Sequence, residues 1–332
     1  MRKILIFFLL ILCACKSAFF EEVPPENAPA VFDQLWTEFR SLYGSFAERG
    51  VDWQSLRDKY RPRVTSSTSE EDLFRVISAM LAELNDAHVS LVAPNRPVFP
   101  SYRVYREKPD DELFDPGLVK KNYLAPGFQD TRSYTYGLIA SDILYIRLAR
   151  INDQTPVLEK IIDQYPGARG MVIDLRHCPG GDFTWSFPAL GRFTDSKRLV
   201  FSSRTRNGPE PDDFTPWYEW YLEPEGPHYD KPLVVLTDRY TNSAAERTAM
   251  ALKVLPQATF VGDTTAGGHS TSIGRELQNG WYYTIPPQQT KFADGRSYEG
   301  IGLAPDIVLR NDRSRLASGV DDVLERAKAI LQ

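Results

Sequence analysis

The chain has 332 residues, of which 42% are hydrophobic and 25% are charged, as is ordinary for a soluble globular protein. This length predicts two domains, or one large core with an appended piece. The formal net charge of -5 gives no basic surface of the kind that binds nucleic acid. We therefore expect no nucleic-acid partner.

Cysteine and histidine are too sparse for a disulfide framework or a Cys/His zinc site. Only one cysteine lies in the body of the chain, and the four histidines are well separated, with no HExxH pair among them. No GxGxxG or GxxxxGK[ST] motif is present. We expect neither a metal nor a nucleotide cofactor. The positions are Cys13, Cys15, Cys178, His88, His177, His228 and His269.

The N-terminus has the pattern of an export signal. Arg2 and Lys3 precede an apolar run from Ile4 to Cys15, which is too short to span a bilayer comfortably. The ending Leu12-Cys13-Ala14-Cys15 resembles a bacterial lipoprotein signal, in which cleavage leaves a lipidated cysteine, here Cys15. The alternative is an ordinary signal peptide with cysteines by chance. We favour the lipoprotein signal because the apolar run stops at Cys15.

These patterns divide the chain into five predicted segments. They are a lipoprotein signal peptide at 1–15, a tether at 16–28, an N-terminal helical domain at 29–93, an irregular connecting region at 94–133 and an α/β core at 134–332. The exported protein would be anchored to a membrane by lipid and would face the periplasm or the cell surface. The sequence does not indicate an oligomeric state.

Apolar residues at helical spacing predict three helices before the core. The first has its apolar positions at 32–42, the second covers 51–60 with Asp52 as its cap, and the third is opened by Ser69. His88 follows the third helix, where the helical pattern gives way to an alternating one. A lone histidine is more often structural than catalytic, so its position alone assigns no role.

Strand and helix patterns alternate through the predicted core. Two alternating runs predict adjacent strands, and continuous apolar runs predict strands that are buried on both faces. The expected strands are 134–138, 143–148, 171–175, 233–236, 259–261 and 282–286, and a closing helix is expected at 321–331. This alternation implies a right-handed parallel α/β core.

A serine stands where one of these strands turns into a helix. Ser243 lies in the stretch Thr241–Glu246, and its hydroxyl would lie beside the free N–H groups of the helix N-terminus. Taken alone, the pattern fits a helix cap better than a nucleophile. Pro179-Gly180-Gly181 follows another buried strand, where glycine allows a backbone N–H to approach a ligand closely, although a tight turn has the same pattern. With His88, these segments fit a serine nucleophile, a histidine base and an oxyanion hole.

Six segments in this order resemble the S41 family of serine peptidases, which includes the C-terminal processing proteases and the tricorn core protease. They are Leu84–His88, Leu144–Arg147, Val172–Arg176 with Pro179–Gly181, Ser243–Glu246, Val261–Gly268 and Glu299–Asp306. The resemblance implies a ClpP/crotonase-like parallel α/β core. It also implies hydrolysis of a polypeptide substrate through an acyl-enzyme on Ser243, with the N–H groups of Gly180 and Ala244 as the oxyanion hole.

Two branches of the family differ in the general base. The processing-protease branch has a lysine in the segment that matches Thr264–Ser270, where this chain has none. The tricorn-like branch has a histidine matching His88 and a glutamate matching Glu299. The resemblance therefore assigns His88 as the base and Glu299 as an orienting carboxylate. His269, near the position of the other branch's lysine, is the main rival.

The chain departs from the family pattern in two places. Tricorn has a serine directly before its histidine, and here that position is Ala87, so the polar link to Glu299 must differ. The interval from His88 to Leu144 is too short for the PDZ domain of the processing proteases. His177 and Gly181 are expected to line the site, as is His269 if it is not the base.

Two other functions fit the same scaffold. The first is a non-catalytic protein that holds a peptide or an apolar ligand, as the retinoid-binding relatives of the family do. The intact set of Ser243, His88 and Glu299 argues against it. The second is thioester chemistry of the crotonase type, which the export signal disfavours because acyl carriers of that kind are cytosolic.

Overall fold

The computed structural model describes residues 27–154 and 158–332. The predicted signal peptide, Cys15 and nearly all of the predicted tether lie outside the described residues. No helix in the described part of the chain is both long and apolar enough to cross a membrane.

The described chain opens with three helices, continues with strands and helices in mixed order and closes with two helices. The helices are α1 (Ala28–Leu42), α2 (Trp53–Tyr60), α3 (Glu70–Ala82), α4 (Arg103–Glu107), α5 (Pro116–Asn122), α6 (Leu158–Gln164), α7 (Ser186–Leu190), α8 (Ala244–Lys253), α9 (Arg313–Ala317) and α10 (Asp322–Leu331). The strands are β1 (Ser90–Val92), β2 (Phe99–Pro100), β3 (Gln129–Asp130), β4 (Tyr134–Ile139), β5 (Ile143–Leu148), β6 (Gly170–Asp174), β7 (Arg198–Thr205), β8 (Tyr218–Leu222), β9 (Leu233–Thr237), β10 (Ala258–Gly262), β11 (Ile273–Glu276), β12 (Tyr282–Ile285), β13 (Gln288–Phe292) and β14 (Ile307–Val308).

A seven-stranded sheet forms the centre of the protein, in the order β14-β10-β9-β6-β5-β4-β3. Strands β5, β6, β9, β10 and β14 are parallel, and β4 and β3 add an antiparallel edge. Every residue of β6 and β9 is buried, as their continuous apolar runs predict. One core cluster contains side chains of α8 and another contains side chains of α10. The predicted parallel α/β core is confirmed.

Helices α2 and α3 begin at the predicted caps, whereas α1 begins four residues before the predicted apolar pattern at Phe32. The side chain of Asp52 accepts a hydrogen bond from the Ser55 N–H, and that of Ser69 accepts one from the Asp72 N–H. The side chain of Asn27 caps α1 in the same way. These helices carry amphipathic patterns, so each leaves an apolar face that another element must cover.

A second sheet, in the order β11-β12-β1-β2, covers those apolar faces. Strand β1 pairs with β12, so Ser90 lies opposite Thr284. The aromatic core beneath the helices includes Trp281 and Tyr283, both fully buried. The sequence predicts a helical domain that ends near residue 93, whereas the hydrophobic core around it is shared with 277–285. The side chains of 277–285 join this core because β12 pairs with β1 directly after the His88 turn.

Short elements fill the connection between β1 and the central sheet. Helices α4 and α5 and strands β2 and β3 span two to seven residues each. A third sheet, β13-β7-β8, packs beside the central one. The connection carries two aromatic side chains, Tyr102 and Tyr105, to the vicinity of Tyr240 and Ala266 beside the Ser243 turn.

Candidate active site

Ser243 stands at a sharp turn between β9 and α8. Its backbone has φ 59° and ψ -122°, a conformation that a residue with a side chain rarely adopts. Such a backbone costs on the order of 1–3 kcal/mol and persists only where its surroundings hold it. The Asn242 N–H donates to the Cys178 carbonyl at 3.0 Å, and the Ala266 N–H donates to the Thr241 carbonyl at 3.0 Å. A strained serine at a strand-to-helix turn is the geometry of a nucleophile elbow.

The carboxylate of Glu246 holds this turn against the loop after β10. It is fully buried and accepts the N–H groups of Gly267 and Gly268 at 2.8 Å each, and that of Ser243 at 3.3 Å. Burial by itself would raise the pKa of Glu246, but His269, the Thr265 hydroxyl and the Gly268 N–H lower it to about 2. From the sequence, Glu246 is assigned no role of its own beyond its place in the Ser243–Glu246 segment. Its role was visible in the spacing Ser-x-x-Glu, which is that of a capping box.

Gly180 lies directly against the Ser243 turn. Its φ is 98°, and a Cβ there would stand 2.6 Å from the Asn242 carbonyl oxygen and 2.7 Å from both the Ala244 nitrogen and the Ser243 Cβ. No other residue type fits this contact. Within the described residues, neither the Gly180 N–H nor the Ala244 N–H donates to a backbone carbonyl. The structure thus brings the two predicted oxyanion donors together.

The Gly180 N–H also faces the neighbouring thiol of Cys178. Burial raises the pKa of that thiol to about 12, and the Gly180 N–H opposes the shift. The next residue, Gly181, has φ 140° and packs against the Ile151 carbonyl. The whole segment is therefore fixed by contacts that a larger side chain would prevent.

His88 lies in the turn between α3 and β1. Its backbone N–H donates to Asp86 Oδ1 at 2.8 Å. Both ring nitrogens are buried, and neither has a hydrogen-bond partner among the described residues. Burial lowers the pKa of His88, although the Asp86 and Glu299 carboxylates oppose it. The imidazole is therefore neutral at pH 7.

His88 and Ser243 line one cavity of about 350 Å³. Gly181, Ala244 and Arg247 share this lining, together with three hydroxyl side chains of the segment 270–272. A nucleophile candidate, a base candidate and a helix N-terminus thus meet at one concave site. Its size is within the usual range for ligand pockets.

Glu299 reaches the His88 turn through an arginine. Its Oε1 forms an ion pair with Arg49 Nη2, and its Oε2 accepts the His269 N–H at 2.9 Å. Arg49 Nε lies 3.1 Å from Asp86 Oδ2, two residues before His88. The polar link between Glu299 and the His88 turn therefore does not involve Ala87. It runs from Glu299 through Arg49 to Asp86. Sequence reasoning missed Arg49, which belongs to no motif and lies between α1 and α2.

His269 is enclosed between two carboxylates. Its Nε2 lies 3.2 Å from Glu246 Oε1 and its Nδ1 3.9 Å from Glu299 Oε2, and the residue is fully buried. Burial lowers the pKa of His269, but Glu246 outweighs it, so the net shift is upward. The residues that line the cavity of Ser243 do not include His269.

His177 lines a different cleft, at the carboxyl ends of β6, β9 and β10. Its Nδ1 lies 2.5 Å from Asp238 Oδ2, and its ring packs on Tyr240 with 4.5 Å between centroids. Burial lowers the pKa of His177, but Asp238 raises it by more. The structure therefore places His177 next to the oxyanion segment in sequence but outside the cavity of His88 and Ser243.

Comparison with known proteins gives matches along much of the chain. The sequence profile of peptidase family S41 matches residues 142–309, and that of the tricorn protease C1 domain matches residues 24–82. A crystal structure of a candidate peptidase from Parabacteroides merdae superposes with a TM-score of 0.84 at 25% identity, over 92% of this chain and 97% of that one.

Two curated relatives are named carboxy-terminal processing proteases, in agreement with the peptidase family match. The carboxy-terminal processing protease CtpA of Bacillus subtilis is 27% identical over 141 residues, 42% of this chain and 28% of the relative. A carboxy-terminal-processing protease of Bartonella bacilliformis is 27% identical over 201 residues, 56% of this chain and 43% of the relative. The chain thus spans less than half the length of these relatives. Because the S41 profile covers half of the chain, the chain belongs to peptidase family S41.

Proposed function

We propose that the protein is an exported, lipid-anchored serine peptidase that cleaves polypeptides through an acyl-enzyme on Ser243. The observation that carries the proposal is the shared cavity of His88 and Ser243, into which the N-terminus of α8 also opens. Membership of family S41, and relatives named carboxy-terminal processing proteases, support the same reaction.

In the proposed mechanism, His88 is the general base. The neutral imidazole takes the proton of Ser243 Oγ as the oxygen attacks the peptide carbonyl, and it then protonates the leaving amine. The N–H groups of Ala244 and Gly180 stabilise the oxyanion. Water then hydrolyses the ester in a second cycle with the same base. Glu299 favours the imidazolium electrostatically, since its carboxylate raises the pKa of His88 against the effect of burial.

Two features of the resting site must change when substrate binds. The His88 ring nitrogens have no hydrogen-bond partner in the described part of the chain, so Ser243 Oγ is not yet bonded to the base. The Gly180 N–H faces the Cys178 thiol. In the proposed mechanism, the imidazole rotates towards Ser243 Oγ, and the Gly180 N–H exchanges the Cys178 sulfur for the oxyanion. Catalytic hydrogen bonds commonly form only in the substrate complex.

Two observations favour His88 over His269 as the base. His88 lines the cavity, and its pKa is lowered. His269 lies between Glu246 and Glu299, and its pKa is raised. A raised pKa favours the protonated imidazole, which cannot accept the serine proton.

A serine-directed fluorophosphonate probe tests this assignment. We expect it to label the wild type, and we expect Ser243→Ala and His88→Ala to abolish labelling while His269→Gln retains it at the same level of folded protein. Labelling that survives His88→Ala but not His269→Gln would reverse the assignment of the base. Equal turnover of a peptide library by the wild type and Ser243→Ala would instead favour the non-catalytic ligand-binding alternative.

The lipid anchor is proposed from the sequence alone. Radiolabelled palmitate should enter the protein expressed in a bacterium, and Cys15→Ser should abolish incorporation, whereas Cys13→Ser should leave it unchanged. Release of the Cys15→Ser protein into the soluble exported fraction would support the anchor. Equal membrane association of both variants would contradict it.

A further inference from the structure

Arg247 is a buried cation in the cavity of the proposed nucleophile. It lies four residues after Ser243 on α8, so the two side chains occupy the same face of the helix one turn apart. Only 3% of its surface is exposed. The guanidinium packs over two aromatic rings, 4.6 Å from the centroid of Phe183 and 4.9 Å from that of Phe201.

No carboxylate among the described residues lies within ion-pair distance of Arg247. Its Nε and Nη2 donate to the His269 carbonyl at 3.0 and 2.8 Å, and Nη2 also donates to Gln288 Oε1 at 2.8 Å. Its Nη1 makes no hydrogen bond within that part of the chain. Two other arginines with buried side chains differ: Arg49 lies 3.1 Å from Asp86, and Arg176 lies 2.7 Å from Asp174.

An unpaired buried cation is costly. Burial lowers the pKa of Arg247 to about 10, and only the more distant Glu299 opposes the shift. Charged groups that are taken out of water are normally paired with an opposite charge. In a cavity next to a nucleophile, the missing anion can be supplied by the substrate, and the free Nη1 can donate a charge-assisted hydrogen bond to a carboxylate.

The rest of the lining is compatible with an anion. Ser270, Thr271 and Ser272 place hydroxyl groups along one side of the cavity. The acidic side chain in the lining is Asp182, which is exposed and whose Oδ1 already accepts hydrogen bonds from the N–H and hydroxyl of Thr184. The enclosed part of the cavity is therefore cationic and polar, while its acidic group lies at the exposed rim.

We infer that the preferred substrate is a polypeptide with a carboxylate next to the scissile bond, bound by Arg247. This inference rests on the proposed role of Ser243 and adds a substrate class to it. The carboxylate has two possible sources: the side chain of an aspartate or glutamate, or the α-carboxylate of a chain end close to the cleavage point.

The test uses peptides that differ only in charge beside the cleaved bond. Each peptide carries Glu, Gln or Lys there, and each is made with a free and an amidated C-terminus. We expect Arg247 to donate one charge-assisted hydrogen bond to the carboxylate. The wild type should then cleave a carboxylate-bearing peptide with about 10- to 100-fold higher kcat/KM than its neutral counterpart, mainly because KM is lower. If the preference survives amidation, the carboxylate is that of a side chain, and if amidation removes it, the carboxylate is that of the chain end.

The variants Arg247→Met and Arg247→Lys show whether this arginine is responsible. In Arg247→Met, we expect kcat/KM to be about equal for the carboxylate-bearing and the neutral peptide. In Arg247→Lys, which keeps the charge, part of the preference for the carboxylate should remain. Arg204→Met is the matched control, because Arg204 also packs over two aromatic rings, those of Phe214 and Trp217, but does not line this cavity. It should leave the preference unchanged.

Fluorophosphonate labelling separates failure of this inference from failure of the proposed function. Labelled wild type that prefers neutral or basic peptides would overturn the inference alone, as would a preference retained in a folded Arg247→Met. Wild type that is neither labelled nor cleaves any peptide would overturn the peptidase function as well. The wild-type preference is measured without any variant, so a misfolded Arg247→Met would not remove the test.

Discussion

Arg49 and Glu299 form an ion pair in which the side chains are only 5% and 1% exposed. The two residues are 250 positions apart in the chain. The pair joins the turn between α1 and α2 to the loop that precedes β14, and Arg49 extends the link to Asp86. The position of His88 relative to the catalytic core therefore depends on one buried guanidinium.

The first prediction concerns this guanidinium. Arg49→Met leaves two buried carboxylates without their cation, so we expect it to lower the free energy of unfolding by about 3–5 kcal/mol, measured by urea denaturation. Lys59→Met is the control, because Lys59 pairs with Glu83 at 2.7 Å on the surface, where ion pairs contribute little, and the variant should lose much less stability. Equal losses of unfolding free energy in the two variants would show that the buried ion pair stabilises the fold no more than the surface pair does.

The second prediction separates the two candidate bases by pH. The acid limb of kcat/KM reports the pKa of the base in the free enzyme. Burial lowers the pKa of His88 from 6.5, so with His88 as the base activity should hold at pH 6.5 and fall only below it. Glu246 raises the pKa of His269 above 6.5, so with His269 as the base activity would already fall above pH 6.5. A pH profile from 4.5 to 9 distinguishes the two cases.

The third prediction concerns Glu246. Its pKa is lowered from 4.5 to about 2 in the folded protein. Its charge therefore stabilises the fold above pH 4.5, and this contribution is lost as the pH falls towards 2. Glu246→Gln should cost on the order of 3 kcal/mol of unfolding free energy at pH 7 and progressively less below pH 4.5.

Denaturation of the wild type and Glu246→Gln at several pH values measures this difference. Glu276→Gln, at an exposed position in β11, is the matched control and should change little at any pH. A constant difference between the wild type and Glu246→Gln from pH 7 to pH 3 would contradict the assigned role of the charge.

The fourth prediction is steric. A Cβ on Gly268 would stand 2.4 Å from Asn242 Oδ1 and 3.2 Å from His88 Nδ1. We expect Gly268→Ala to displace the His88 ring, lowering kcat/KM at least about tenfold, and to cost about 1–3 kcal/mol of stability through overpacking. Gly167→Ala is the control, because nothing lies within 4 Å of its added methyl. Full activity of Gly268→Ala would mean that the histidine needs no fixed position.

The central fold was predictable because its signals are local. The buried strands β6 and β9 are continuous apolar runs, and the caps Asp52 and Ser69 stand directly before their helices. The turn at Ser243 also followed from adjacent strand and helix patterns. Each of these features depends on residues only a few positions apart.

The missed features depend on residues that are far apart in the chain. Arg49 acquires its role from Asp86 and Glu299, and Arg247 acquires its own from a carbonyl at 269 and an amide at 288. An arginine at such a position has no distinct sequence pattern, since surface arginines are common. The sequence also did not predict that the N-terminal helices share their core with β12. The residues of β1 and β12 contain no pattern that predicts the pairing between these two strands.

That pairing also bears on how the protein is made. Ser90 and Thr284 meet across 194 positions, so β1 leaves the ribosome long before its partner strand exists. The turn that carries His88 can gain this support only after Ser243 and six strands of the central sheet, β3 to β6, β9 and β10, have been synthesised. In a nascent chain that has not reached β12, the proposed base therefore lacks the strand pairing that holds its turn against the core.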